Sequence, residues 1–218
     1  MSRPSRPLSP NVIRDAALAL IDAEGLAALS MRRLAAELGV KAASLYSHVP
    51  GKDAVLDAIA NMLASRVDTS GFAEGWRAGL LGWGRSYHAV LREHPKAAPI
   101  VAAGAGRRSE YLAMADAVHG GLVGDGWPPR HATMAAASVK YLVIGAAITP
   151  FGSGFADDTA VYIGRYPNLS MAHRLREVAE EIDADSFELA LNSLLDGLEL
   201  VYKQVARGGP KTGERTSG

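Results

Sequence analysis

A chain of 218 residues, 48% of them apolar, has room for a small domain beside a larger one and can bury a substantial core. Its 23 Lys and Arg balance its 23 Asp and Glu, so any attraction to a polyanion must come from local charge rather than a global basic field. The absence of cysteine excludes a disulfide framework and a thiolate metal site, and is compatible with a reducing cytoplasm. The start Met1-Ser-Arg-Pro-Ser-Arg-Pro has no apolar signal-peptide core, and no run of about eighteen apolar residues suggests a membrane span.

In chain order the sequence reads as a succession of helices with no convincing strand, so the expected fold class is all-α. Residues 1–8 are rich in Pro, Ser and Arg and form either a basic arm or an untidy terminus. Ser9-Pro10 is an N-cap followed by proline at the first helical position. Ile13, Ala16, Ala17, Leu20 and Ile21 then give one apolar stripe, which Gly25 ends. Ser30 is a second N-cap, and Met31, Leu34, Ala35 and Leu38 recur at helical spacing. Gly39 suits the positive φ of a helix C-terminus. Val40 restarts the pattern, Leu45 and Val49 continue its buried side, and Pro50-Gly51 stops it. Lys41, Ala42, Ala43, Ser44, Tyr46, Ser47 and His48 are left as small, hydrogen-bonding and basic groups on the other side. A further stripe (Val55, Leu56, Ile59, Leu63) runs from Lys52 to about Arg66.

Residues 68–71 read as a linker. A long helix is expected over 72–93, despite glycines at 75, 79, 82 and 84, each costing about 1 kcal/mol of propensity and each permitting close approach. A short helix and loop occupy 95–106. Residues 108–124 form a helix with Tyr111, Leu112, Ala115, Val118 and Leu122 as its buried stripe. Residues 129–149 are apolar nearly all round, which predicts burial against several neighbours. Residues 150–168 read as a long loop, 170–181 as helix, and 185–206 as a last helix with a stripe from Phe187 to Val205. The Gly-Gly-Pro stretch from 208 onward reads as a tail.

The segment 29–52 resembles the helix-turn-helix of the TetR family of bacterial transcriptional repressors. The residues that carry the likeness are Leu34-Ala35, Leu38-Gly39-Val40, Ser44-Leu45-Tyr46, His48-Val49 and Lys52. The Leu-Tyr-x-His-Val form is closer to the tetracycline-repressor subgroup than to members with Tyr-x-x-Phe at this place. The resemblance implies an N-terminal three-helix DNA-binding domain (9–54), a helical ligand-binding and dimerisation domain (55–207), and flexible tails (1–8 and 208–218). It carries base or phosphate contact onto Ser30, Arg32, Lys41, Ala42, Ala43, Ser44, Tyr46, His48 and Lys52. Arg32 can pair bidentately with guanine, while Lys52, Tyr46 and His48 suit phosphates. Ala42 and Ala43 can only touch a thymine methyl, so the operator should differ from that of the subgroup's namesake. Tyr46 could instead face the core. Residues 1–52 carry seven Arg and Lys against four Asp and Glu, a modest surplus where a duplex would need it. The basic N-terminal arm, if real, would reach a minor groove.

The resemblance also implies a homodimer built from the helices at 129–149 and 185–206, and a small apolar or aromatic effector. Trp83, Tyr87, Met114, Met134 and Tyr141 are the expected ligand-facing residues, on helices that line the family's pocket; for each alone, plain core is the simpler reading. No metal and no cofactor are expected. No histidine pair shows the spacing that puts two ligands on one helix face. The subgroup's magnesium–drug chelate uses a histidine where this chain, between Ala97 and Gly106, has none. No phosphate-binding glycine loop or nucleophile elbow proposes an enzyme. The expected function is a cytoplasmic repressor released from a palindromic operator by its ligand. The alternatives are an activator of the same fold and a small-molecule sequestering protein.

Overall fold

The computed structural model describes residues 7–102, 108–149, 151 and 154–206; the Arg3/Arg6 arm and the tail from 207 lie outside them. The described residues form nine α-helices with no strand among them. They are α1 (Pro10–Glu24), α2 (Met31–Glu37), α3 (Ala42–Tyr46), α4 (Lys52–Ser65), α5 (Trp76–Glu93), α6 (Ala98–Ala102), α7 (Ser109–Gly124), α8 (Pro129–Ile148) and α9 (Ala179–Ala206). The chain divides into two compact units, each discontinuous in sequence. One comprises Met1–Asp68, Arg85–Ala115 and Ile144–Thr149; the other comprises Thr69–Gly84, Asp116–Val143 and Pro150–Gly218.

In the first unit the expected caps are in place. Ser9 Oγ accepts from Val12 N at 3.3 Å, with Pro10 at the first helical position. Gly25 leaves α1 at φ 89°, a conformation costly for a side-chain-bearing residue. α1 packs on α2 and α4, and α2 on α3. Ile13, Ile21, Leu34, Leu45, Ile59 and Leu63 are the largest fully buried residues of this cluster. Each contributes about 1.5–3 kcal/mol by burial, which is how helices as short as α2 and α3 persist. Beyond the cluster, Arg108 is nearly fully buried. It donates from Nε to Asp57 Oδ1 on α4 and from Nη1 to the Ile100 carbonyl, both at 2.8 Å.

In the second unit, glycine sets how closely helices meet. A Cβ on Gly84 would lie 3.2 Å from Leu191 and Val139, so α5, α8 and α9 meet there. Phe72 fills the space above Gly79 and Gly121, where a Cβ would come within 2.3 Å and 2.5 Å of its ring. Trp76, Trp127 and Tyr202 form a ring cluster with centroids 5.2–5.4 Å apart, and Tyr202 donates to the Asp125 carbonyl at 2.7 Å.

Several boundaries differ from the sequence expectation. The helix expected from 72 begins at Trp76, because Ser70–Glu74 is a 3-10 turn that ends on Gly75 at φ 114°. The last helix starts at Ala179 rather than 185. Asp183, in the gap expected between two helices, accepts from the Phe151 amide at 2.8 Å within the continuous helix. On α7 the buried stripe is Tyr111, Met114, Val118 and Leu122, while Leu112 and Ala115 face solvent. α8 is not buried all round. Ala132, Ala135, Val139 and Val143 face inward, but Met134, Tyr141 and Ile148 are exposed. α8 is the one described helix long and apolar enough to cross a membrane by length and composition, and a single weakly apolar helix of this kind does not indicate a membrane protein.

Candidate nucleic-acid interface

The turn between α2 and α3 is built by backbone chemistry that the sequence announces. Ser30 Oγ accepts from Arg33 N at 3.1 Å and caps α2. Gly39, at φ 66°, closes α2 by donating to the Ala36 carbonyl at 3.2 Å. The Val40 amide then bonds the Ala35 carbonyl at 3.0 Å, completing a Schellman motif. α3 follows at once, beginning with Ser44 N on the Lys41 carbonyl at 2.9 Å and ending with His48 N and Val49 N on the Leu45 carbonyl. Ser47 Oγ bonds the Ser44 carbonyl at 2.8 Å.

This geometry turns two apolar residues, Leu45 and Val49, inward and everything else outward. Lys41, Ala43, Ser44, Tyr46 and His48 are exposed, and Ala42 is half-buried. Tyr46 is 54% exposed, so the core-facing alternative fails. Ser30 is exposed, and its cap uses the hydroxyl oxygen as acceptor, leaving the O–H to donate to a phosphate. Lys52 is half-buried at the start of α4. A short helix with a small-residue, cationic outer side is of the size and chemistry that a major groove admits.

Arg32 and Arg33 are distinguished only by the structure. Arg33 bonds Glu24 Oε1 at 2.5 Å and Glu37 Oε2 at 2.9 Å, and those two carboxylates hold its guanidinium above its ordinary range. Arg32 is exposed and forms no ion pair among the described residues. Nothing in the dipeptide separates them; the discriminating signal, Glu37 four residues after Arg33, is weak alone.

The five expected ligand-facing residues divide in two. Trp83, Tyr87 and Met114 are buried. Burial pushes the Tyr87 phenol up, the neighbouring Tyr111 adds to this, and Arg108 opposes it. Met134 and Tyr141 are 50% and 73% exposed on the outer side of α8. Trp83 and Tyr87 lie one turn apart on α5. Among the described residues no three His, Asp or Glu side chains converge as a metal site.

Comparison with known proteins decides the family. Residues 13–59 match bacterial regulatory proteins of the tetR family, and residues 72–202 match the tetracyclin repressor-like C-terminal domain. The chain belongs to the TetR family. Its relatives include the repressor DrrR1 of Streptomyces coeruleorubidus, 42% identical over 43% of this chain and 37% of that protein's length. They also include the class A tetracycline repressor of Escherichia coli, 29% identical over 95% of this chain and 98% of the relative. The crystal structure of Streptomyces coelicolor ActR in complex with actinorhodin matches 88% of this chain and 95% of that chain at 27% identity, with a TM-score of 0.68. This TetR-family chain is therefore a ligand-responsive, DNA-binding regulator of transcription. The helix-turn-helix whose surface is described above lies within the first matched region. Sequence reading missed the buried Arg108, since an arginine outside any motif gives no signal of burial.

Proposed function

We propose that this regulator is a cytoplasmic, homodimeric repressor that binds a palindromic operator without metal, cofactor or catalysis, and is released by a small apolar or aromatic effector. The observation that carries the proposal is the outer side of α3. Leu45 within the helix and Val49 just after it are buried, and Lys41, Ala43, Ser44, Tyr46 and His48 stand exposed for a groove. Functionally the head is residues 9–54 and the body 55–207. The contacts proposed for the head are Ser30, Arg32, Lys41, Ala42, Ala43, Ser44, Tyr46, His48 and Lys52.

The dimer rests on α8 and α9. Val139 and Leu191 face inward at Gly84, while Met134, Tyr141 and Ile148 on α8 and Leu189 and Leu200 on α9 lie roughly opposite those stripes, exposed. Apolar side chains on the wrong side of two long helices call for a partner surface, and a second copy satisfies both at once. Met134 and Tyr141 fit that role better than the effector site. The effector is assigned to Trp83, Tyr87 and Met114, since buried aromatic and thioether side chains suit an aromatic guest. That DrrR1 and the class A protein are named repressors supports repression.

The test is a gel shift of purified protein on the promoter region beside its own gene. A retarded band that survives unrelated competitor DNA is expected. No retarded band at moderate salt would overturn the reading in favour of sequestration.

A further inference from the structure

Three helices end close together in the first unit. α1 ends at Glu24, α4 at Ser65 and α5 at Glu93, and His94 follows α5 directly. His94 Nδ1 lies 2.8 Å from Asp22 Oδ2 on α1, and His94 Nε2 lies 3.3 Å from Nη1 of Arg66, which follows α4. Arg66 also bonds Glu93, and Lys96 Nζ donates to the Ala23 carbonyl at 2.8 Å. The other Asp22 oxygen, Oδ1, is buried and accepts no hydrogen bond from the described residues, so among them His94 is that carboxylate's one hydrogen-bond partner. The charged groups facing His94 are thus Asp22 from α1 and Arg66 from the end of α4, with Glu93 and Lys96 beside it on its own stretch.

These contacts fix a tautomer. A guanidinium can only donate, so Nε2 must accept from Arg66; Nδ1 then carries the hydrogen and donates to Asp22. The neutral ring satisfies both neighbours. A second proton, on Nε2, sets donor against donor. The Arg66 contact is lost while the link to Asp22 becomes an ion pair. Arg66 keeps Glu93, whose carboxyl its guanidinium already holds below the ordinary range.

We propose that His94 is a positioning residue for operator binding: neutral, it ties the end of α1 to the end of α4, and protonation breaks that tie and leaves Glu93 to hold Arg66. The inference rests on the DNA-binding reading. α4 is a 14-residue helix, a rod of roughly 21 Å with Lys52 at its other end, so slack at Arg66 is felt where the phosphate contact is made. Loosening that anchor lowers preorganisation and weakens operator binding at acid pH.

The experiment measures operator affinity by fluorescence anisotropy from pH 5.5 to 8.5 at fixed ionic strength, for the wild type and His94→Gln. The glutamine amide can donate to Asp22 and accept from Arg66, and it does not titrate. Protonation of other DNA-facing groups such as His48 moves both curves alike. The ratio of the two affinities should shift against the wild type by about three- to tenfold towards acid pH, the scale of one solvent-screened polar contact. Parallel curves with specific binding intact would overturn this proposal alone; absence of specific binding at every pH would sink the DNA-binding reading and the proposal with it. A DNA-free readout stands beside it. Long-range proton–nitrogen spectra at pH 8 should show the Nδ1-protonated ring for His94, and the opposite tautomer would overturn the assignment.

Discussion

Arg32→Ala separates contact from scaffold most cleanly, because stability and affinity should move in opposite directions. Arg32 is the second residue of α2, next to the positive end of a helix whose N-cap is Ser30. Its charge is unfavourable there, and no carboxylate offsets it, whereas Arg33 has Glu24 and Glu37. Removing the charge should stabilise the fold by about 0.3 kcal/mol, the low end for a short, exposed helix. Alanine's better helix propensity adds a little in the same direction. Operator binding should nevertheless weaken by about 1–3 kcal/mol, roughly five- to 150-fold, and the loss should concentrate on one base pair if the guanidinium reads guanine. The assay pairs urea unfolding with anisotropy titrations on a panel of single-base operator variants. If affinity falls equally on all variants and the salt slope drops by about 0.9, Arg32 holds a phosphate instead of a base. If stability falls, or affinity does not change, the distinction drawn between the two arginines is wrong. Arg33→Ala is the companion, expected to leave the base preference of the operator panel in place.

Leu200→Arg on the outer side of α9 should yield a monomer by light scattering, because the charge would enter a desolvated interface; an unchanged dimer mass would move the interface elsewhere. Gly79→Ala should destabilise by about 1–2 kcal/mol in chemical denaturation, since overpacking against the Phe72 ring outweighs the roughly 1 kcal/mol gained in helix propensity; a more stable variant would show that Phe72 is free to move aside. Tyr87 contributes a pH dependence of definite sign. Its folded phenol is raised, so its contribution is fully present below the unfolded value of about 10 and is lost as pH climbs towards the folded one. Unfolding free energies between pH 8 and 11 should fall more steeply for the wild type than for Tyr87→Phe, and equal slopes would contradict the burial argument.

The head was legible in the sequence because its signals are local. A serine cap, a four-residue apolar spacing and a glycine that must turn left-handed each act within one or two helical turns. The structure reproduces them at Ser9, Ser30 and Gly39. The body was legible only as a list of helices. Leu112 and Met114 are two residues apart on α7, and periodicity alone put Leu112 inside; the packing that buries Met114 comes from other parts of the chain. α8 misled for a related reason. An all-apolar circumference looks like complete burial, but a surface reserved for another molecule has the same composition as a surface packed within the chain. Gly79 reads as a weak point in its helix, and its use appears only when the Phe72 ring is found over both it and Gly121. Nothing local marks His94 as a contact, because its partners Asp22 and Arg66 are 72 and 28 residues away.

In the proposed dimer, the slight charge of the head and the exposed apolar sides of α8 and α9 answer one energetic requirement. A single head with so modest a basic surplus should bind a half-site no better than non-specific contacts do, at a dissociation constant of about 10⁻⁵ M. Two such heads joined at an effective concentration of about 1 mM would bind a whole operator at roughly 10⁻⁷ M, a hundredfold gain that needs no new contact. Base readings such as that assigned to Arg32 then supply what remains to reach the specific range. The gain depends on spacing. It disappears when the two α3 helices no longer match sites about 34–36 Å apart. An effector therefore has to supply only the loss of that hundredfold, about 2.7 kcal/mol, which lies within the usual range of coupling between two sites. By reciprocity the effector binds the operator complex weaker by the same factor, so the affinity ratio measured with and without DNA must equal the ratio of operator affinities with and without effector.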